Sequence, residues 1–316
     1  MELNPRVDFA FKKLFGSEEN KDLLIALINA VVSEQDQVRD IELKNPYSFK
    51  DFAQDKMTVM DIKAIDHQGH HYNIEIQITD QPFYNNRMLY YWSKMYGSQL
   101  KAGESFDFLK KTIGIHILNF NMLEEDRYHN VFKILNVSHI LDLRETGPVF
   151  EEAKTPFFSH LELHTIELEK FDTDLAHLKT SLDRWVTFLK KSDYYGQNKI
   201  PKELGVEKTI EKAITVLERM YVDEDERALY EGQLKWYRDE MMIIKKHEME
   251  AMERGLSEGR AAGHAEGHAE GHAEGHLAGV EAGRVEEKRQ IAQKLKASGL
   301  SLDEISNLTG LSVDEI

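Results

Sequence analysis

Cysteine is missing from this chain of 316 residues. Its absence excludes disulfide bonds and zinc sites built from thiolates, and it fits a reducing compartment, so we expect a cytoplasmic protein. Apolar runs are also too short to cross a bilayer. The opening residues, MELNPRVDFAFKKLFG, lack the apolar core of a secretory signal. We therefore expect no association with a membrane.

Basic residues are outnumbered by acidic ones, 40 to 56, and aromatic residues are missing towards the end of the chain. The formal net charge of −16 argues against a protein that coats nucleic acid through bulk positive charge. It does not exclude a nuclease, because a metal site requires acidic residues and a local basic patch can contact phosphates. No aromatic residue follows Tyr237. This asymmetry predicts a folded front part and a thin, helical rear part.

Hydrophobic periodicity predicts helices and strands in the front part. Helices are predicted over residues 9–32 and 83–101, and over most of residues 172–190 and 202–221. Strands are predicted over residues 58–65, 72–78, 112–119, 128–143 and 161–168. The order of helix, strands, helix and strand favours an α/β sandwich.

The first two predicted strands form a β-hairpin, with Gly69 in the turn. Strict alternation places Asp61 and Lys63 on one face of the first strand, and Glu75 and Gln77 on one face of the second. Closing the hairpin brings Asp61 roughly opposite Glu75 or its neighbour, and residues paired in this way have Cβ atoms about 4.5–5.5 Å apart.

Two carboxylates at that distance favour a divalent cation between them. Magnesium prefers such oxygen ligands, and it can activate water and polarise a phosphoryl oxygen for phosphodiester hydrolysis. The alternative is that Asp61 and Lys63 are simply solvated on the exposed face of a half-buried strand.

The same residues resemble the motifs of a nuclease superfamily. Asp61, followed after 13 residues by Glu75 in the segment IEIQ, is similar to the second and third motifs of PD-(D/E)XK nucleases. More narrowly, the chain resembles the recombination-promoting nuclease (Rpn) family, whose members are also described as transposases. Further segments carry the likeness: NPRVDFAFKKLFG, RMLYYWSKMYGSQLKAGE, TIGIHILNF and LELHTIELEKF.

This resemblance implies a restriction-endonuclease-like αβββαβ core, followed by an extended helical C-terminal region. It implies a Mg²⁺ site in which Asp61 and Glu75 bind the metal, with DNA as the partner and substrate. The implied activity is a DNA endonuclease that acts in recombination, mobile-element movement or defence against foreign DNA.

Gln77 departs from the superfamily pattern, which usually has lysine at this position, although the Rpn branch shares the departure. Glutamine carries no positive charge, so it can only hydrogen-bond the attacking water or bind the metal weakly. Another residue must then supply the charge. Lys63, on the same strand face as Asp61, is the first choice, and Lys94 on the following helix is the second.

For other charged residues of the front part, the sequence leaves two possible roles open. Asp8, just before the first predicted helix, is either a further acidic ligand or an N-cap that accepts from free backbone N–H groups. Arg87, Lys94 and Lys101 are seven residues apart, which predicts one cationic helix face. That face is either a phosphate track or an ordinary solvated stripe.

The rear part contains a tetrapeptide repeat, GHAE-GHAE-GHAE-GHLA, from Gly263. Each glycine in it destabilises an isolated helix by about 1 kcal/mol relative to alanine. The stripe therefore favours close approach of two helices in a homo-oligomer, with transition-metal binding by neighbouring histidines as an alternative. The tail carries two capping-box patterns and predicts short helices that self-associate or, alternatively, form a helix-turn-helix.

Four regions follow from these patterns. They are a nuclease domain over residues 1–200, a helical extension over 201–254, a spacer or stalk over 255–290 and a small helical tail over 291–316. The predicted activity is that of a Mg²⁺-dependent DNA endonuclease. The alternative is a catalytically silent, self-associating DNA-binding or adaptor protein that keeps the fold, because Gln77 replaces the usual lysine.

Overall fold

A computed structural model describes residues 4–44, 61–136, 158–191 and 200–316. Within these ranges the α-helices are α1 (Asp8–Phe15), α2 (Lys21–Val31), α3 (Tyr84–Gly97), α4 (Ser181–Lys190), α5 (Lys202–Gly205), α6 (Lys208–Arg219), α7 (Glu224–Ala297) and α8 (Leu302–Thr309). The strands are β1 (Ile41–Leu43), β2 (Asp61–Asp66), β3 (His71–Gln77), β4 (Thr112–Leu118), β5 (His129–Ile134) and β6 (Phe158–Glu167). The predicted α/β class and the long helix in the rear part are confirmed.

One mixed sheet joins the described strands in the order β1-β2-β3-β4-β6-β5. β1, β2 and β3 pair antiparallel, β3 and β6 each lie parallel to β4, and β5 closes the edge antiparallel to β6. α3 connects β3 to β4, which is the crossover that a parallel strand pair requires. The carboxyl end of β3 therefore lies next to the beginning of α3.

The two faces of β3 are both buried, although alternation predicted one solvated face. Asn73, Glu75 and Gln77 each retain only 5% of their accessible surface. The cause is α3, which covers this face: Trp92 on the helix donates from Nε1 to the Thr112 carbonyl at 2.8 Å. Sequence alternation correctly separated polar from apolar residues but could not show that a helix covers the polar face.

The main apolar core lies on the opposite face of the sheet. Ile74, Ile76 and Tyr72 of β3 pack there with isoleucines of β4 and with apolar side chains of α1, α2, α4 and α6. Trp185 of α4 is fully buried in the same cluster. This large apolar contact fixes the sheet, and hence the β2–β3 hairpin, on a rigid support.

The single helix predicted over residues 9–32 is wrong, because the chain breaks between α1 and α2. Gly16 ends α1, and a 3₁₀ turn follows at Glu18–Asn20. The Ser17 hydroxyl and the Asn20 amide both donate to the Lys13 carbonyl, at 2.8 and 2.9 Å. These side chains satisfy a carbonyl at the helix end, so the break is stable despite continuous apolar periodicity.

α3 ends at Gly97, four residues before the predicted end. α4 begins at Ser181, after a capping box of Thr180 and Asp183, and α5 and α6 fill most of residues 202–221. Parts of two predicted strands, residues 58–60 and 137–143, lie outside the described residues.

The chain divides into two compact units, Met1–Met241 and Met242–Ile316. In the second unit, both predicted capping boxes, Ser301 with Glu304 and Ser312 with Glu315, are present. Among the helices that the structure describes, none combines the length and apolar composition needed to cross a bilayer. The domain boundaries expected at residues 200, 254 and 290 stay predictions.

Candidate active site

The β2–β3 hairpin sets the positions of the predicted site residues. Asp61 is the register partner of Glu75, and Lys63 is the partner of Asn73. The turn is held by Asp66, whose Oδ1 accepts from the backbone N–H groups of residues 68 and 70 at 2.8 and 2.9 Å. The pairing expected from alternation is therefore present in the backbone, while the side chain of Asp61 lies outside the described part of the structure.

A cleft of about 850 Å³ opens between β3 and α3; we call it the β3–α3 cleft. Four of the predicted site residues line it: Lys63, Glu75, Gln77 and Lys94. Lys63 and Lys94 are exposed, whereas Glu75 and Gln77 lie at its buried floor. The fold thus brings residues from two strands and one helix to a single cavity.

Arg87 binds both residues at the floor of this cleft. Its Nη2 atom donates to Oε1 of Glu75 at 2.6 Å and to Oε1 of Gln77 at 3.2 Å. Its Nη1 atom donates to Gln81 at the cleft edge. The sequence had suggested Arg87 only as part of a cationic row, and its contact with Glu75 was not foreseen.

A sequence signal for this contact does exist. Arg87 lies 12 residues after Glu75, in the first turn of the helix that leaves β3. In a β–α–β unit the helix starts where the preceding strand ends, so its first-turn side chains can return to the end of that strand.

His116 lies behind Glu75 on the neighbouring strand, where it is the register partner of that residue. Its Nδ1 atom is 3.1 Å from the Tyr84 hydroxyl and 3.7 Å from Oε2 of Glu75. Burial lowers the pKa of His116 to about 3, with the Arg87 charge adding to the effect. The imidazole is therefore neutral at physiological pH.

Asp8 is neither an N-cap nor part of the cleft lining that the structure describes. Val7 holds the N-cap position of α1, and Asp8 is the first helical residue. Its Oδ2 atom pairs with Lys12 Nζ at 3.3 Å, while its buried Oδ1 atom has no hydrogen-bond partner within the described residues. Burial raises the pKa of this carboxyl, although Lys12 opposes the shift. The N-cap interpretation is wrong because the capping position falls one residue earlier.

The cationic row predicted along α3 is only partly present. Arg87 and Lys94 both line the β3–α3 cleft, but Lys101 lies beyond the helix end at Gly97. Lys94 Nζ lies 5.3 Å from the centre of the Tyr90 ring. Two cations rather than three therefore share this face of the helix.

The donor set at the cleft floor suits a hard divalent cation. Within the described residues, no group of three or more histidine or acidic residues is arranged to hold a metal. However, the Glu75 carboxylate and the Gln77 amide oxygen converge on one cationic atom, Nη2 of Arg87. Oxygen ligands that already converge on positive charge are the kind that Mg²⁺ takes, with water completing its octahedral shell.

Comparison with protein families assigns the chain. A family model described as PD-(D/E)XK nuclease family transposase matches residues 5–247. The chain belongs to this family. No curated protein and no solved structure gave a match. The family match includes the β2–β3 hairpin, α3 and the part of α7 that lines the cleft, so the resemblance noted in the sequence is confirmed.

A second polar cluster in this nuclease family member lies at the other side of the sheet. Glu162 of β6 binds Lys111, Lys133 and His164 at 2.8–2.9 Å. Burial alone would raise the pKa of Glu162, but these three hydrogen bonds outweigh it and lower the pKa. His129 Nε2 lies 3.0 Å from His164 and extends the cluster to β5. Because Glu162 is paired with these basic residues, we infer that the cluster stabilises the fold.

Proposed function

We propose that this chain is a Mg²⁺-dependent DNA endonuclease in which Asp61 and Glu75 hold the metal. The observation that supports this most is the register of the hairpin, which sets Asp61 directly opposite Glu75 in a member of a nuclease family. We further propose that α1–α2, β1–β3, α3 and β4 correspond to the αβββαβ core of the superfamily.

The chemistry divides between the metal and the residues of the chain. When bound, a divalent cation polarises a phosphoryl oxygen and lowers the pKa of a coordinated water. The amide of Gln77 orients water through hydrogen bonds, since glutamine can both donate and accept. Lys63 and Lys94 line the cleft and are exposed, which supports a role in contacting the phosphates of the substrate.

DNA is the substrate that the lining of the β3–α3 cleft supports. Lys63, Arg87 and Lys94 supply positive charge, and the exposed rings of Tyr91 and Trp236 lie in the same lining. Cations that track phosphates next to aromatic rings on which bases stack are the usual combination at strand-binding grooves. This local basic patch reconciles DNA binding with the acidic net charge of the whole chain.

We also propose a division of the chain into four regions. We assign residues 1–200 to the nuclease domain, 201–254 to a helical extension, 255–290 to a spacer and 291–316 to a tail. Homo-oligomerisation would run through the C-terminal helices. A cytoplasmic role in recombination, mobile-element movement or defence against foreign DNA fits the cysteine-free composition and the family.

Cleavage of supercoiled plasmid by the full chain tests the proposal. Wild type should cut with Mg²⁺ and not with EDTA, and Asp61→Asn and Glu75→Gln should each reduce the rate at least ~100-fold, because metal-derived stabilisation is worth several kcal/mol. Glu240→Gln is the matched control, since it removes a carboxylate from the same cleft but outside the hairpin. It should cut like wild type.

A catalytically silent DNA-binding or adaptor protein is the second candidate. Two observations favour it. Glutamine occupies position 77, where the superfamily usually has lysine, and the Glu75 carboxylate already accepts a hydrogen bond from Arg87. A folded wild type that retains DNA but leaves the plasmid intact with Mg²⁺ and Mn²⁺ would establish this alternative. Equal cutting by wild type and both hairpin variants would place the active site elsewhere.

A further inference from the structure

We propose that Arg87 is a positioning residue that holds Glu75 in the metal-free enzyme and is released towards the DNA phosphate when a divalent cation binds. The inference rests on the proposed function and assigns to α3 the positive charge that β3 lacks. It makes Arg87 and the metal competitors for one carboxylate oxygen.

The competition follows from the geometry at Glu75. Arg87 Nη2 lies 2.6 Å from Oε1 of Glu75, the length of a strong charge-assisted hydrogen bond. A cation bound to the same oxygen would lie within a few ångströms of the guanidinium. The Glu75 side chain is only 6% exposed, so water screens such like charges poorly. Repulsion between the two positive charges therefore weakens the binding of each to Glu75.

The guanidinium has room to move because it is more exposed than the carboxylate that it binds. The Arg87 side chain is 32% exposed, and its carbon Cζ lies 5.1 Å from the centre of the Tyr84 ring and 5.7 Å from that of Tyr91. These aromatic faces attract a cation independently of Glu75. Arg87 can therefore leave the carboxylate and remain in the β3–α3 cleft.

An unused donor on Arg87 points to a further ligand. The Nε atom is buried and has no hydrogen-bond partner within the described residues. An arginine presents its N–H donors as a planar fork that matches the oxygens of a phosphate. Once the guanidinium leaves Glu75, a phosphodiester in the cleft could accept from Nε and from the released Nη2 atom.

This arrangement also gives a reason for Gln77. A lysine at that position would place a second cation about 3 Å from Nη2 of Arg87, where the glutamine oxygen now accepts a hydrogen bond. An uncharged acceptor is therefore the compatible residue beside this arginine.

Binding of Mn²⁺ to the full chain without DNA, followed by the EPR signal of the free ion, tests the inference. Arg87→Ala should bind Mn²⁺ about tenfold more tightly than wild type, because a competing charge is removed. Arg87→Lys should fall between them, and Glu75→Gln should lose the site. Lys101→Ala, which removes a charge outside the β3–α3 cleft, should bind like wild type.

Plasmid cleavage by the same variants supplies the second measurement. Arg87→Ala should cut more slowly than wild type even at saturating metal, and Arg87→Lys should recover part of the rate. Tighter metal binding together with slower cutting is not expected of an arginine that only supports the fold. Circular dichroism establishes that each variant is folded, and Arg87→Lys carries the test if Arg87→Ala is not.

Two outcomes overturn the inference in distinguishable ways. If Arg87 variants bind Mn²⁺ no more tightly than wild type while Glu75→Gln loses the site, Arg87 does not compete with the metal and the proposed nuclease stands. If wild type and every variant lack a Glu75-dependent site, the metal-dependent function itself fails, and the role of Arg87 fails with it.

Discussion

At the scale of single residues, Gln77 and Arg87 share one hydrogen bond at the floor of the β3–α3 cleft. The strand side chain is neutral, and the cation comes from the first turn of α3. The sequence identified position 77 as unusual, yet it suggested Lys63 and Lys94 as replacements for the charge. Arg87 was the harder residue to predict, because its contact depends on where α3 crosses the sheet.

Replacing Gln77 by lysine, the usual residue of the superfamily, should destabilise the protein. Gln77→Lys should lower the free energy of unfolding by about 1–3 kcal/mol, because a hydrogen bond to Arg87 is replaced by like-charge repulsion. Thermal unfolding of the full chain measures the loss. The double variant Gln77→Lys with Arg87→Gln should recover part of it. A stable and more active single variant would contradict this account of the pair.

His129 gives a prediction for pH dependence. Burial lowers its pKa to about 4, with the neighbouring His164 adding to the shift and Glu162 opposing it. Between pH 4 and the ordinary histidine pKa near 6.5, the unfolded chain therefore binds more protons at this residue than the folded one. Stability should fall as pH falls through that window, by up to ~1.4 kcal/mol per pH unit.

Denaturation of the full chain between pH 6.5 and pH 5 measures this slope. His129→Gln should flatten it, because the buried titrating group is gone. His177→Gln, at an exposed position, is the control and should keep the slope of wild type. An unchanged slope in His129→Gln would mean that other groups cause the acid sensitivity.

At the scale of elements, α3 converts an ordinary strand face into a buried site. It covers Asn73, Glu75 and Gln77, and it is tied to β4 by the indole of Trp92. Period-two alternation predicted the hairpin and, to within a residue, its register, because both depend on local sequence. Burial of the polar face could not be predicted, since it requires the packing of a helix that follows later in the chain.

The contribution of the hydrogen bond from Trp92 to the stability of the protein can be measured. Trp92→Phe should lower the free energy of unfolding by about 1 kcal/mol, because the Thr112 carbonyl loses the donor at 2.8 Å. For a unit of this size the thermal midpoint should fall by about 2–4 °C. Tyr90→Phe, which alters an exposed aromatic on the same helix, should leave the midpoint unchanged. Equal midpoints for the two variants would show that the indole bond is dispensable.

At the scale of the whole molecule, the glycine-rich repeat belongs to the second unit and to the 74-residue helix α7. A methyl group placed on any repeat glycine meets no atom within 4 Å among the residues that the structure describes. Glycine is therefore not required by contacts within the described protomer. The proposed reason is close approach of a second copy of the helix.

Alanine at four repeat positions separates the two explanations. Replacing Gly263, Gly267, Gly271 and Gly275 should raise helicity, since each substitution favours the helix by about 1 kcal/mol. If a partner helix packs on the glycines, the same variant should associate more weakly in analytical ultracentrifugation. Higher helicity with unchanged association, or no association in wild type, would remove the glycine stripe as an oligomer interface.

The amino-acid sequence by itself determined the α/β class, the hairpin, the pairing of Asp61 with Glu75 or its neighbour, and the helical rear part. These features follow from local periodicity, turn residues and capping patterns, which act over a few residues. The break between α1 and α2, the buried polar face of β3 and the bond from Arg87 to Glu75 were decided only by the tertiary structure. Each depends on side chains that meet only after the chain folds, so its cause lies in packing rather than in local sequence.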